Sequence, residues 1–549
     1  MKSYHIRTLV LSLLAPAVTY AQVAPDAGQS IRELERPQLQ APAPDKLELN
    51  LPSLDDSAPV SGGPSLHVNR FRITGHSVFP DAELRALLAD LEDRELSFAE
   101  LQAAAQRLSS YYREHGYMLA RAYLPAQEVE DGVIEIAVLE GGYGEIQVDD
   151  QVGLRGFAMA SIDSLQSGEA VRAKPLERSL LLLADTPGVE IDAMLRPGAS
   201  VGASDLIVNV MPGQGFSGTF HLDNHGSRYT GAARLGGAYS LNNPLRLGDT
   251  LDLRLMTSEE DQLYVRAGYQ LPVGPWSTRL GVAYSYMDYE LGEDFADLDA
   301  TGRARIASAF VLQPLLRSRA LSLYASLQYD HKRLEDKVGL FDSRSDKNSS
   351  LWIASLTGDS RDSFGGGGVN SFSLAYAAGK LELESPLERL QDSFTSRSHG
   401  RFDRMNVSLL RLQNLPGRFS LSTRLQGQWS NDNLDSSEKF SLGGAHAVRA
   451  YPQGEASGDR GMLVNVDLNY AVADGWQAAL FADYGRIRLN AEPWTLERNH
   501  RELSGAGLAL RGMAYGWRLE TSAAWRLDDA PRSEADRKPR VWLQLMRQF

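Results

Sequence analysis

A membrane β-barrel preceded by two small α/β domains is the fold class the sequence predicts, and three observations predict it. From about Gly215 to the C-terminus, short segments alternate apolar and polar residues between Gly, Asn, Asp or Pro, the period of strands with one lipid face and one water face. Ahead of them, a β-α-α-β-β pattern of about 75 residues is followed by a looser copy of itself, and tandem copies of a small unit usually build an extended docking arm. The third is composition: 43% of the 549 residues are apolar and 23% charged, with mean hydropathy −0.29, which allows a large core but argues against a helical membrane protein. A net charge of −14 argues against the basic face a nucleic-acid partner requires. Zero Cys excludes disulfide frameworks, thiolate metal sites and Cys nucleophiles.

The first element, residues 1–21, reads as a secretory signal peptide: Lys2 and Arg7, an apolar run from Leu9 to Val18, then small residues before a plausible cut after Ala21. The run is too short to span a bilayer. Residues 22–64 follow as a short helix, Gln29 to Arg36, and a semi-extended linker with prolines at 37, 42, 44, 52, 59 and 64. A short helix on a long tether can move, and a terminus without consequence is the equal alternative.

The first α/β domain, 65–142, opens with a strand over Leu66–Thr74. A helix over Asp81–Leu91 follows, then a second helix opened by the capping box Ser97-Phe98-Ala99-Glu100 and closed at His115-Gly116. Met118–Leu124 and Val133–Glu140 read as strands joined across Asp131-Gly132. The second domain, 143–213, repeats the pattern more loosely: a strand at Gly144–Val148, a helix carrying Leu176, Leu180, Leu181 and Leu183, and strands at Ile191–Leu195 and Asp205–Val210.

The barrel occupies 214–549. Its 335 residues from Gly215 suit fourteen, sixteen or eighteen strands of roughly 9–11 spanning residues each. Val464, Val466, Leu468 and Tyr470 alternate with Asn465, Asp467 and Asn469, and the chain closes on an alternating strand ending at aromatic Phe549, as outer-membrane barrels often do. A soluble β-sandwich also alternates and stays open at this point.

Chemistry finds little footing. No His is followed by Glu, and no phosphate-binding loop is present. Gly198-Ala199-Ser200-Val201-Gly202 matches a nucleophile elbow, but a strand rather than a helix follows the serine, so it reads as a turn. Gly365–Gly368 reads as a loop or a kinked strand. No metal, cofactor or catalytic residue is expected. Two segments stand out: the Gly-rich connection Ser441–Gly461, with Arg449 between Val448 and Tyr451, and Phe481-Ala482-Asp483-Tyr484-Gly485. If Phe481, Asp483 and Gly485 share the lumen face, a loop folded inward could bring Arg449 to Asp483 in a charge-assisted fork.

These residues resemble the outer-membrane transporters of two-partner secretion, the TpsB branch of the Omp85 superfamily. Val448-Arg449-Ala450-Tyr451 is similar to the family's V-R-G-[YF] loop motif, and Phe481, Asp483 and Gly485 to its F-x-D-x-G strand motif. The resemblance extends to Tyr117, Arg121, Tyr123, Leu124, Pro125 and Gln127 in the first domain, a candidate client-binding region, to Leu195-Arg196-Pro197-Gly198, and to Asp223-Asn224-His225-Gly226 and Asn243-Pro244. It implies two periplasmic POTRA domains, a sixteen-stranded barrel, an arginine loop in the lumen, a plugging N-terminal helix, and Phe549 as a barrel C-terminal signal. It also implies export of a large TpsA-like exoprotein without nucleotide hydrolysis or other catalysis. Implied partners are that exoprotein, outer-membrane lipid and lipopolysaccharide, and the barrel-assembly machinery during biogenesis. Ala450 stands where the family has glycine, so a positive φ there would be strained. A barrel-assembly insertase is the alternative in the same superfamily; a barrel enzyme or a passive pore are alternatives of other classes.

Overall fold

The computed structural model describes residues 25–35, 39, 49–50 and 65–549. The signal peptide expected over 1–21 and most of the proline-rich linker fall outside them.

In the first α/β unit, the single strand expected over Leu66–Thr74 is two, Ser65–Val68 and Arg70–Thr74. Asn69 leaves the ladder because its main-chain N–H donates to the Gly132 carbonyl and its side chain to that of Asp131. The freed half pairs with Arg94–Ser97, a strand hidden between two helical patterns. The helix expected over Asp81–Leu91 is α-helical only to Ala86 and ends in a tighter turn, Ala89–Leu91. Ser97 and Glu100 form the reciprocal capping box of Phe98–Glu114, which satisfies two main-chain donors that a helix start leaves orphaned. This helix buries Leu101, Ala105, Leu108 and Tyr112 against Phe71, Ile73, Ile134 and Ile136, each large apolar side chain contributing about 1.5–3 kcal/mol.

The sheet of this unit sets Arg70–Thr74 parallel to Val133–Leu139, with Arg121–Tyr123 antiparallel on the outer edge. The edge strand is three residues rather than the seven expected: at its start Met118 and Leu119 turn toward the core of the second unit, with the Ala120 N–H donating to the Tyr117 carbonyl at 3.1 Å, and at its end Pro125 cannot donate to a ladder while the Gln127 side-chain amide takes both main-chain groups of Glu135 (2.7 and 2.9 Å). Glu140 closes the unit by accepting from the Tyr112 hydroxyl and the Ser77 and Val78 N–H groups, each at 2.8 Å. Burial alone would push this carboxyl up; the hydrogen bonds outweigh it and hold it below the usual glutamate value.

The second unit pairs Gly142–Asp150 parallel with Ala203–Pro212, which pairs antiparallel with Val189–Pro197. Helix Ala173–Ala184 covers the sheet with Leu176, Leu180, Leu181 and Leu183. A helical turn over Gly156–Asp163 was not legible in the apolar spacing. Residues 198–202 are the hairpin turn between the last two strands, so Ser200 sits on a turn and not on a strand-to-helix elbow. Leu49–Asn50 of the linker lies parallel along the outer edge of this sheet, opposite Ala193 and Met194.

Sixteen antiparallel strands then close a barrel, from Phe216–Asp223 to Arg540–Gln548. Thr219–Asp223 pairs with Gln544–Gln548 at the seam. Gly218 and Phe549 exchange two main-chain hydrogen bonds at one end of it, and the Asn224 side chain bonds Val541 and Leu543 at the other. Across the barrel, Ala300–Arg317, Leu321–Val338 and Ser343–Asp362 run for 18, 18 and 20 residues. That is well beyond the roughly 9–11 that span a bilayer, so these strands project past it at the end farther from the α/β units. The second unit sits against the nearer end: the Arg317 guanidinium forks onto Asp185 (2.8 and 2.9 Å), and Arg178 donates to the Pro314 and Leu315 carbonyls (both 3.1 Å). Gly365–Gly367, all at positive φ, form a turn at that same end.

Candidate functional site in the barrel lumen

The lumen is occupied by two segments, the arginine loop and the N-terminal helix. Along Trp476–Arg488, Phe481, Asp483, Gly485 and Ile487 are buried while Leu480, Ala482, Tyr484 and Arg486 are exposed, so the expected lumen face is the observed one. The connection Ser441–Gly461 folds inward as a small hairpin, Phe440–Leu442 with Ala456–Gly458, which its glycine content had masked.

At its tip Arg449 meets Asp483. The guanidinium donates from Nε to Asp483 Oδ2 (2.9 Å) and from Nη2 to Oδ1 (2.7 Å), while the Arg449 main-chain N–H adds a third bond to Oδ2 (3.0 Å). The other edge of the fork reaches Asp467, with Nη2 to Oδ1 at 2.6 Å and Nη1 to Oδ2 at 3.3 Å. The Phe481 ring lies under the charge, 3.5 Å from centroid to Cζ, a cation–π contact strengthened by exclusion of water. Gly485 supplies room: a Cβ there would fall 2.7 Å from Leu442 Cδ2 and 3.2 Å from Val448 Cγ2. Each position of the strand motif therefore has a separate physical task, ring, carboxylate and gap.

The rest of the loop tip is equally fixed. Val448 and Tyr451 are fully buried, and the Tyr451 hydroxyl donates to the Asp529 carbonyl at 2.9 Å. The Arg449 carbonyl accepts from the Trp542 indole at 2.7 Å. Ala450 is not at positive φ, so the strain expected for alanine does not arise. Its methyl instead points at Gly505, where a second Cβ would come within 2.5 Å.

Asp467, Arg511 and Asn465 are partners that the sequence reading did not assign. Arg511 donates to Asp467 at 2.6 Å and Asn465 to Asp483 at 2.7 Å. The signal for Asn465 and Asp467 was the polar face of the alternating segment around Val464–Tyr470, since strand pairing sets Asn465 opposite Asp483 and Asp467 opposite Phe481; Arg511 comes from His500–Ala514, one strand further on, and no local pattern marks it.

The helix spans Ala27–Glu35, two residues earlier than expected, because Asp26 accepts the Gln29 N–H at 2.8 Å and starts it. Ala27 and Ile31 pack into the wall beside Met287, Tyr289, Ala304 and Ile306. Polar anchors surround that apolar stripe. Asp336 accepts the Ala27 N–H at 2.8 Å; Arg32 donates to Gln428 (2.8 Å) and to the Ser437 carbonyl (3.1 Å) and faces Glu438 at 3.7 Å; Glu35 accepts from Arg266 at 3.0 Å. Glu438 is fully buried and also holds Lys332 (2.6 Å) and Arg404 (2.8 Å), so Arg32 joins a charge cluster already compensated without it.

The first-unit candidates separate. Tyr117 and Leu124 pack against its core, and Gln127 and Pro125 shape the strand end described above. Arg121 and Tyr123 are exposed on the edge strand, whose outer side pairs with nothing among the described residues.

Comparison with known proteins agrees with this architecture. The model of the haemolysin secretion/activation protein ShlB/FhaC/HecB family matches residues 202–512, and that of the ShlB-type POTRA domain matches 66–141. The heme/hemopexin transporter protein HuxB of Haemophilus influenzae is 30% identical over 547 residues, 96% of this chain and 95% of that protein. The outer membrane transporter CdiB of Escherichia coli is 24% identical over 505 residues, covering 84% and 79%. The solved structure of CdiB from Escherichia coli shares the fold, with a TM-score of 0.73 at 21% identity over 91% of this chain and 92% of that one. With a family model over more than half its length and the arginine loop closed in a sixteen-stranded barrel, the chain belongs to the haemolysin secretion/activation family, the outer-membrane transporters of two-partner secretion, with POTRA structure on the periplasmic side.

Proposed function

We propose that the chain captures an extended segment of one large, unfolded exoprotein in the periplasm and passes it through the barrel to the cell surface without hydrolysing nucleotide. The carrying observation is that two segments of this chain, the helix and the Arg449 loop, lie inside the barrel against its wall, with ion pairs and hydrogen bonds as their polar anchors. Such contacts exchange readily for water or for a passing polypeptide. The exposed edge at Arg121–Tyr123 supports capture by strand addition. Folding outside would give direction by removing the unfolded chain from the transport equilibrium.

In this reading 65–142 and 143–213 are the two POTRA domains and 214–549 is the barrel; 1–21 is removed on export, and 22–64 tethers the plug. Val448, Arg449, Ala450 and Tyr451 with Phe481, Asp483 and Gly485 form the gate. Phe549 serves barrel assembly by the outer-membrane assembly machinery, and the wall is solvated by outer-membrane lipid and lipopolysaccharide. The chain catalyses no reaction of its own. HuxB is named for heme and hemopexin and CdiB simply as a transporter, so the shared property carried over here is transport rather than one cargo.

The test deletes residues 66–213 and compares the culture supernatant with that of the intact chain at matched outer-membrane abundance. Loss of one large exoprotein, with other barrels unchanged, is expected. Unchanged secretion with widespread failure of barrel assembly would replace this reading with an insertase.

A further inference from the structure

At the barrel end away from the periplasmic α/β units, three arginines gather on the outward face. Strand pairing puts Arg460 directly opposite Arg488, and Met462 opposite Arg486. Arg486 and Arg488 continue the outward row of Leu480, Ala482 and Tyr484. Like charges directly across a ladder repel, and arginine on a lipid face is costly at the bilayer midplane and tolerated only near the headgroups. The row therefore stands at headgroup level with its own repulsion to offset.

Two of the three side chains are held by neutral partners. Arg460 lies 4.8 Å over the Trp429 ring and donates to the Ser430 carbonyl (2.6 Å) and Asn431 Oδ1 (3.0 Å). Arg488 donates to the Asn490 carbonyl at 3.2 Å. Among the described residues, the ion pair these three make is that of Arg486 with Glu502, at 3.4 Å and more than half exposed on the arginine. Between them is an open cleft of about 580 Å³ lined by Trp429, Arg460, Met462, Arg486, Arg488 and Pro493. Trp429 and Met462, 61% and 41% exposed, give it an apolar floor on the membrane side.

We infer that this cleft binds the phosphate groups of a phosphorylated glycolipid of the outer leaflet, the lipopolysaccharide that surrounds an outer-membrane barrel. Guanidinium forks match phosphate oxygens two at a time. The acyl chains descend along Met462, Leu480 and Tyr484, a combination that neither free phosphate nor an exoprotein segment satisfies. The inference rests on the outer-membrane location and is independent of the transport reading.

The test uses the full chain purified in detergent, with purified lipopolysaccharide, phosphatidylglycerol and inorganic phosphate as three probes. It compares the intact chain with the triple variant Arg460→Ala, Arg486→Ala, Arg488→Ala. Lipopolysaccharide is expected to bind the triple variant at least about tenfold more weakly and to lose its effect on the variant's unfolding temperature, while phosphatidylglycerol and phosphate act weakly on both. Equal binding by the two proteins, or an equal response of the intact chain to phosphatidylglycerol, overturns the site. Folding is checked by the heat-dependent gel mobility of closed barrels; if the triple variant fails it, Arg488→Glu and Arg486→Gln singly carry the same comparison.

Discussion

Replacing Arg449 by Ala removes four side-chain hydrogen bonds and the charge over the Phe481 ring, while the Arg449 N–H and carbonyl keep their bonds to Asp483 and Trp542. Removing one partner of a buried ion pair costs about 3–5 kcal/mol when the other charge is stranded. Here neither carboxylate is fully stranded, because Asp467 keeps Arg511 and Asp483 keeps Asn465. The expected cost to loop attachment is therefore smaller, about 2–3 kcal/mol, which multiplies the population of the detached loop about 30- to 150-fold. Hydrogen exchange over residues 443–456 in the full chain reads that population directly, with exoprotein in the supernatant as the functional readout. Arg449→Lys keeps the charge but not the fork, and is expected to recover only part of the protection. Undiminished protection together with normal secretion in Arg449→Ala would refute both the lock and its role.

Other consequences are as accessible. Arg32→Ala leaves Glu438 paired with Lys332 and Arg404, so the barrel stays folded while the helix loosens; conductance in planar bilayers rises, and an unchanged closed level counts against a plug. Asp185→Arg cuts the fork to Arg317, whose carboxylate side is exposed, and weakens docking of the second unit by about 0.5–1 kcal/mol, seen as faster proteolysis between residues 212 and 216; combining it with Arg317→Asp restores resistance, and failure to restore it shows that the pair does not hold the unit. Because Glu140 titrates below the usual glutamate value when folded, its stabilisation is complete above that usual value, about 4.3, and is lost as pH falls through the depressed one. Exchange protection of helix Phe98–Glu114, corrected for the intrinsic effect of pH, should fall over that acidic window in the intact chain and less in Glu140→Gln; parallel curves would show that the carboxylate contributes nothing.

What is legible in the amino-acid sequence is whatever repeats a local period or a local cap. The Ser97–Glu100 box, the leucines of helix Ala173–Ala184 and the alternation around Val464–Tyr470 are all of that kind, and so is the shared face of Phe481, Asp483 and Gly485. Failures occurred where distant residues decide. Asn69 interrupts a strand because the Asp131–Gly132 turn claims it, and Gln127 shortens another by imitating main chain. Arg94–Ser97 is a strand only because Ser65–Val68 lies beside it. In the lumen, the Arg449–Asp483 pair was foreseeable from two motifs, whereas Asp467 and Arg511 meet across the intervening strand Trp476–Arg488, a contact that only the register of three strands brings about. The doubt about Ala450 rested on a backbone conformation it does not adopt; the space came from Gly505, 55 residues later in the chain.

The unequal strand lengths make the barrel mechanically anisotropic. Opposite the seam, ladders of 18 to 20 residues share any outward load among many hydrogen bonds, and that side behaves as a stiff plate. The seam carries the same load between Gly218 and Asn224 on one strand and Val541 to Phe549 on the other, and its fastenings at one end are those of a single residue, Asn224, whose side-chain amide bonds Val541 and Leu543 and whose main-chain N–H donates to the Leu543 carbonyl at 3.2 Å. A hoop yields where its section is thinnest. Pressure from within the lumen is therefore concentrated on the junction of the first and last strands, with Asn224 as the stitch at its far end.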